Sequence, residues 1–286
     1  MGEWRLSFQS ALTNMHPTND AELNEVLQAL IGGVRPILAD NFVGAYLQGS
    51  FAVGDALGHS DVDFLVVVHA DVPEAHARAL QAVHVRVYDM ASDWARHLEG
   101  SYFPKEMLRR RDTAGQPLLY IDNGSRVLER SAHDNTLVVR WVLREHGVTL
   151  AGPEPSALLE PVPAGALRHE VLQTMQDWGR PILADPESIN NDWYQPYVVL
   201  SYCRMLQTLE TGRIHSKPAG AAWAKRRLDA RWIGLIERAE VAHAGQRLRG
   251  RLKSDPADLA NTLEFLREAL AVGQSAGAGW PAQEHP

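Results

Sequence analysis

The chain has 286 residues, of which 45% are apolar and 22% charged, with 28 basic against 35 acidic side chains for a net charge of −7. That is the composition of a soluble globular protein. No apolar run reaches membrane-span length, and the negative balance argues against nucleic acid as the main partner while suiting a cationic one. The single cysteine, Cys203, excludes an internal disulfide or a Cys-rich metal cluster, and MGEWRLSFQS lacks a signal-peptide core, so a cytoplasmic protein is expected.

Residues 20–38 read as an amphipathic helix, with Leu23, Val26, Leu27, Leu30, Ile31, Val34, Ile37 and Leu38 at spacings of three and four, and Asn19 and Glu22 as a capping pair. VGAYL (43–47) reads as a strand, a turn follows at Gly49-Ser50, and DVDFLVVV (61–68) is a second strand. The stretch 73–98 is mostly helical, although VHVRV (83–87) also has strand alternation. LEGSYF (98–103) is strand-like, and residues 136–147 form a helix stopped at Gly147. His133-Asp134 marks that helix start, with Asp134 as its cap.

A proline-rich connection, AGPEPSALLEPVPAGA, then leads into segments of helical period at 167–178, 195–211, 219–229, 231–248 and 256–272, the last opened by Asp255-Pro256. The expected organisation is an N-terminal domain mixing helices and strands over 1–155, an all-helical domain over 156–272 and a disordered tail over 273–286. Cys203, inside one of the helices, is expected to be a core thiol.

Asp61 and Asp63 raise the central question, because they stand at the head of a strand that ought to be buried. In a strand, residues i and i+2 share a face, so two carboxylates point the same way while Val62, Phe64, Val66 and Val68 form the apolar side. Like charges this close repel, and a divalent cation relieves the conflict. Mg²⁺ in particular takes one or two carboxylates plus substrate phosphates. Upstream, Gly49 would admit close backbone approach, and Ser50 offers a hydroxyl and an N–H to a phosphate. Ser60, beside the pair, could do the same.

This G-S…D-x-D arrangement after a helix and a strand resembles the nucleotidyltransferase superfamily with its DNA polymerase β-like fold. LVVRWVLREHGVTLAGPEP (137–155) and LSYCRMLQTLETGRIHSKPAGAAWAKRRL (200–228) extend the resemblance to the aminoglycoside adenylyltransferases, nearest to those acting on streptomycin and spectinomycin. The resemblance implies an α+β nucleotidyltransferase domain with a mixed sheet, followed by a helical substrate-binding domain. It also implies Mg²⁺ on Asp61 and Asp63, and ATP as the AMP donor.

A third carboxylate would act as general base: Glu99, which is preferred, or Asp89 if VHVRV is the strand. Arg204 and Lys217 match family cations that meet the ATP phosphates. Trp178, Asp192 and Trp193 are candidates for a cationic small-molecule acceptor, an aminoglycoside or aminocyclitol, although NNDWYQPY (190–197) departs from the family's streptomycin-binding segment. A monomer without a nucleic-acid or membrane partner suffices. Two alternatives stand beside this reading: a nucleotidyltransferase using another acceptor, either a protein side chain or a metabolite, and a non-catalytic nucleotide-binding regulatory protein.

Overall fold

Helical spacing of apolar residues produces α1 (Ala21–Leu38), which buries Leu23, Val26, Leu27, Leu30, Ile31, Val34 and Leu38 along one side. Each such side chain contributes about 1.5–3 kcal/mol relative to exposure. The cap is Asp20 rather than Asn19: its Oδ1 accepts from the Leu23 N–H at 2.9 Å, and its Oδ2 accepts from Trp94 Nε1 at 3.0 Å. The computed structural model describes residues 16–58, 60–245 and 252–277.

The chain continues through β1 (Phe42–Leu47), α2 (Gly49–Val53), β2 (Val62–Val68), α3 (Glu74–Tyr88), β3 (Leu98–Pro104) and α4 (Lys105–Arg109). Next come β4 (Leu118–Ile121), β5 (Leu128–Ser131), α5 (Leu137–His146) and β6 (Val148–Ala151). The six strands form one mixed sheet in the order β5-β4-β3-β2-β1-β6, in which only β2 and β3 run parallel. Parallel neighbours require a crossover, and α3 supplies it.

The core lies on one face of this sheet. Val62, Phe64, Val66, Val68, Leu98, Tyr102, Leu119 and Ile121 pack there with the apolar sides of α1 and α3. Strand alternation therefore turns Asp63, Glu99, Ser101 and Tyr120 to the opposite face.

VHVRV is helical. Leu80, Val83, His84 and Val87 fall on one buried side of α3, and that burial outweighs the β-propensity of the valines. His84 sits in this core, its Nε2 2.8 Å from the Tyr102 hydroxyl, and burial pushes its imidazole down to about 4. Strands β4, β5 and β6 were not expected.

The later helices are α6 (Ala164–Ala184), α7 (Tyr194–Thr211), α8 (Lys217–Arg227), α9 (Ile233–Gly245) and α10 (Pro256–Gly277). Helix α7 is the hub: it is buried along most of its length and packs against α6, α8, α9 and α10. Cys203 lies within it, fully buried. Helix α10 opens at Asp255, whose carboxylate accepts from the Ala257 N–H at 2.8 Å. The segment expected to be a disordered tail is helical through Gly277, and its remainder lies outside the described residues.

Two compact units result. One runs to Ala52 and includes Asp61–Thr136 and Leu143–Glu160. The other takes Val53–Ser60, Leu137–Val142 and the described residues from Pro161 onward.

Candidate active site

The first unit collects the acidic residues. Asp63 of β2 and Glu99 of β3 are direct partners in the parallel register, so the backbone ladder itself sets two carboxylates side by side on the non-core face. Asp61 precedes the strand by one residue, and its Oδ1 accepts from the Asn123 side-chain amide. The Oδ1 of Asn123 in turn lies 3.3 Å from His97 Nδ1.

Gly49 opens α2 with φ of +57°, and the Asp63 carboxylate rests against it. A Cβ at that position would lie 2.5 Å from Asp63 Cγ and closer still to Oδ2. The glycine is thus required by Asp63 as well as by the backbone conformation. Next to it, the Ser50 Oγ is buried with no hydrogen-bond partner among the described residues. A buried hydroxyl left this way is uncommon and suits an added oxygen ligand.

Glu99 is 8% exposed and its Oε1 has two neighbours: the Tyr120 hydroxyl at 2.8 Å and His133 Nε2 at 3.1 Å. The Tyr120 hydroxyl also lies 3.0 Å from Asp122 Oδ1, and its single proton can be given to only one of the two carboxylates. The rings of Tyr120 and His133 pack with centroids 5.4 Å apart. The hydrogen bond to Glu99 raises His133 to about 9, while burial, with Glu99 adding to it, pushes the Tyr120 phenol well above its ordinary value.

Asp134, adjacent to His133, does not cap α5. It is buried, accepts from Ser101 Oγ at 2.7 Å, and is raised to about 6 by its burial. The cap comes instead from Glu170 of α6, whose carboxylate accepts from the Leu137 and Val138 N–H groups at 2.8 and 2.9 Å.

Asp89, the alternative base, follows α3 as its C-terminal cap. It is exposed and pairs with Arg126 at 2.6 Å, so the strand on which its candidacy depended is absent. Ser60 belongs to the second unit, and its Oγ accepts from the Leu57 N–H at 2.8 Å, closing a turn.

The remaining candidates also lie in the second unit. Arg204 is half-buried on α7. Lys217 opens α8: its N–H donates to Asp55 Oδ2 at 3.0 Å, and its Nζ stands 4.5 Å over the Tyr197 ring. Trp193 stacks on that same ring, with its centroid 5.2 Å from that of Tyr197. Trp178 donates from Nε1 to the Tyr194 hydroxyl at 2.8 Å and packs on Tyr197 and Tyr202. Lys217, Trp193 and Trp178 thus share one aromatic cluster. Asp192 meets Leu252: its backbone N–H donates to the Leu252 carbonyl at 2.9 Å, and its Oδ1 accepts from the Leu252 N–H at 3.4 Å.

Two family models match the chain: a nucleotidyltransferase domain over residues 33–109, and the C-terminal domain of aminoglycoside adenylyltransferases over residues 157–270. Together these matches support an aminoglycoside adenylyltransferase.

Among its relatives, the aminoglycoside (3'')(9) adenylyltransferase of Shigella flexneri is 28% identical over 248 residues, covering 79% of this chain and 87% of the relative. The spectinomycin 9-adenylyltransferase of Staphylococcus aureus is 26% identical over 232 residues, covering 78% and 85%. The crystal structure of the spectinomycin adenyltransferase from Enterococcus faecialis with ATP and spectinomycin superposes with a TM-score of 0.65 at 16% identity. That match covers 86% of this chain and 98% of that one, and it supports the shared fold.

Asp61 and Asp63 fit a hard divalent cation. Both offer carboxylate oxygens, and Asp63 is already seated in a cradle that any larger residue at position 49 would fill. Among the described residues, no group of three or more His, Cys, Asp or Glu side chains is arranged as a metal cage. Mg²⁺ commonly takes only one or two carboxylates when substrate phosphates supply its other ligands, and a pair of aspartates is compatible with that.

His133, Tyr120 and Asn123 were not singled out as site residues in the sequence. Each joins the site across a strand or loop 21 to 62 residues from its partner, and no local spacing marks such a contact.

Proposed function

We propose that the chain moves AMP from ATP to a hydroxyl of a cationic aminoglycoside or aminocyclitol such as streptomycin or spectinomycin, and releases pyrophosphate. The in-register placement of Asp63 and Glu99, beside Gly49-Ser50, carries this reading. Asp61 and Asp63 would hold Mg²⁺, which when bound supplies charge stabilisation on the triphosphate. Ser50 donates its buried hydroxyl to a phosphate oxygen, and Arg204 and Lys217 take the phosphate-neutralising role that the family implies.

Glu99 accepts the proton of the acceptor hydroxyl as its oxygen bonds to the α-phosphorus. The bond from that phosphorus to the bridging oxygen breaks, and pyrophosphate departs with the electron pair. Trp178 and Trp193 face the cationic acceptor. The Lys217 ammonium over the Tyr197 ring supports the reading that these aromatic faces attract cations. The use of ATP supports a cytoplasmic location for this activity. No described helix is long and apolar enough to cross a membrane.

The test is the purified protein with α-labelled ATP and Mg²⁺, offered streptomycin, spectinomycin and a protein extract. Label on a drug, abolished by Asp63→Ala and by Asp61→Asn, is expected. Label on protein alone, or transfer that survives either substitution, refutes the reading.

A further inference from the structure

We infer that His133 is a positioning residue for Glu99, one half of a two-donor clamp whose other half is Tyr120. The inference rests on Glu99 acting as the base in the proposed reaction. A glutamate has three side-chain torsions, and the strand register fixes only the first atom of that arm. Something else must hold its carboxylate, because a base misplaced by about 1 Å can lose roughly a hundredfold in rate.

Here the same oxygen, Oε1, is met from two sides: by Tyr120 from the neighbouring strand β4 at 2.8 Å, and by His133 from the segment between β5 and α5 at 3.1 Å. The two donors also brace each other, ring against ring at 5.4 Å. Tyr120 is only 3% exposed and cannot shift far. The His133 side chain, in contrast, is 61% exposed and does little for the core, so its position is better explained by what it touches.

The backbone that delivers it is anchored independently. Asp134 is tied to Ser101 at 2.7 Å, and Ser101 is two residues along β3 from Glu99 on the same face. The Asn135 side chain adds hydrogen bonds of 2.8 Å to the Thr113 and Gln116 carbonyls. The loop is therefore fastened to the strand that carries the base, and His133 is held at the carboxylate.

Two measurements test this. In steady-state adenylylation of spectinomycin and streptomycin, His133→Ala is expected to lower kcat by about 10- to 100-fold while both KM values stay within about twofold. His133→Gln, whose amide can still donate to Oε1, should recover most of that loss, and Tyr120→Phe should lower kcat comparably. If His133→Ala turns over like the wild type while Glu99→Gln is inactive, the inference falls and the base assignment stands. If Glu99→Gln itself turns over normally, the base assignment falls and the clamp falls with it.

The second measurement needs no acceptor. Crystal structures of the wild type and His133→Ala are expected to show the Glu99 carboxylate turned to a different rotamer in the variant. An unchanged Glu99 overturns the clamp. Because the His133 side chain is 61% exposed and outside the core, the variant is expected to fold, with its melting temperature lowered only by the lost pairing with Glu99.

Discussion

Gly49→Ala separates what the backbone requires from what the site requires. At φ of +57° an alanine occupies the left-handed region at a cost of about 1–2 kcal/mol. Its Cβ would also fall 2.5 Å from Asp63 Cγ, so the carboxylate must swing away from the position in which it can face a metal. Gly54 provides the control. Its φ is +78°, and a Cβ there meets nothing within 4 Å.

Both alanine variants should lose about 1–2 kcal/mol, visible as a melting temperature lower by about 2–8 °C. Only Gly49→Ala should also lose about a hundredfold or more in AMP transfer, with the dependence on Mg²⁺ concentration moved to higher values. Scanning calorimetry and a labelled-ATP transfer assay on the two variants side by side would measure this. Equal activity in both, or wild-type turnover in Gly49→Ala, would show that Asp63 does not need its present position.

Other perturbations probe separate contacts. His133 titrates near 9 in the folded chain against an ordinary 6.5, so the stabilisation from its pairing with Glu99 is complete below about pH 6.5 and disappears as pH rises through about 9. The melting-temperature difference between wild type and Glu99→Gln should accordingly narrow from pH 6.5 to 9.5, and a constant difference would contradict the pairing. Glu170→Ala removes the α5 cap and the charge that offsets the burial of Arg140, which desolvation lowers to about 10. Urea unfolding should report a loss of about 2 kcal/mol or more, with Glu170→Gln retaining part of it, and a change below about 0.5 kcal/mol would refute the capping role. Trp193→Leu should raise the KM for a cationic acceptor by about tenfold, leaving that for ATP within about twofold. An unchanged acceptor KM would remove Trp193 from the acceptor site.

What the sequence made legible follows from range. The spacing of Leu23 to Leu38 and the alternation from Val62 to Val68 are local, and α1, β2 and the placement of Asp61 and Asp63 followed from them. The same locality left VHVRV open between helix and strand, because Val83, His84 and Val87 are buried by distant elements. Strand β5, LERS, is largely exposed and has no apolar alternation to notice. At α1, Asn19 and Asp20 are equally good caps by type, and part of what occupies Asp20 is Trp94, 74 residues later. The cap of α5 comes from Glu170, 33 residues beyond Leu137, so the nearer Asp134 was the natural but incorrect choice. Glu99 was legible as a carboxylate at a strand start. Its two donors were not, because only the sheet order brings β4 and the segment after β5 to it.

The parallel pairing of β2 with β3 also penalises a misaligned register. If β3 slipped by one position, Leu98 would replace Glu99 opposite Asp63, and the Glu99 carboxylate would be driven among the valines beneath α1 and α3. Enclosing an unpaired charge there costs several kcal/mol, a large share of the net stability of an ordinary domain. The side chain assigned to chemistry is thus also the one that makes the wrong alignment too unstable to persist.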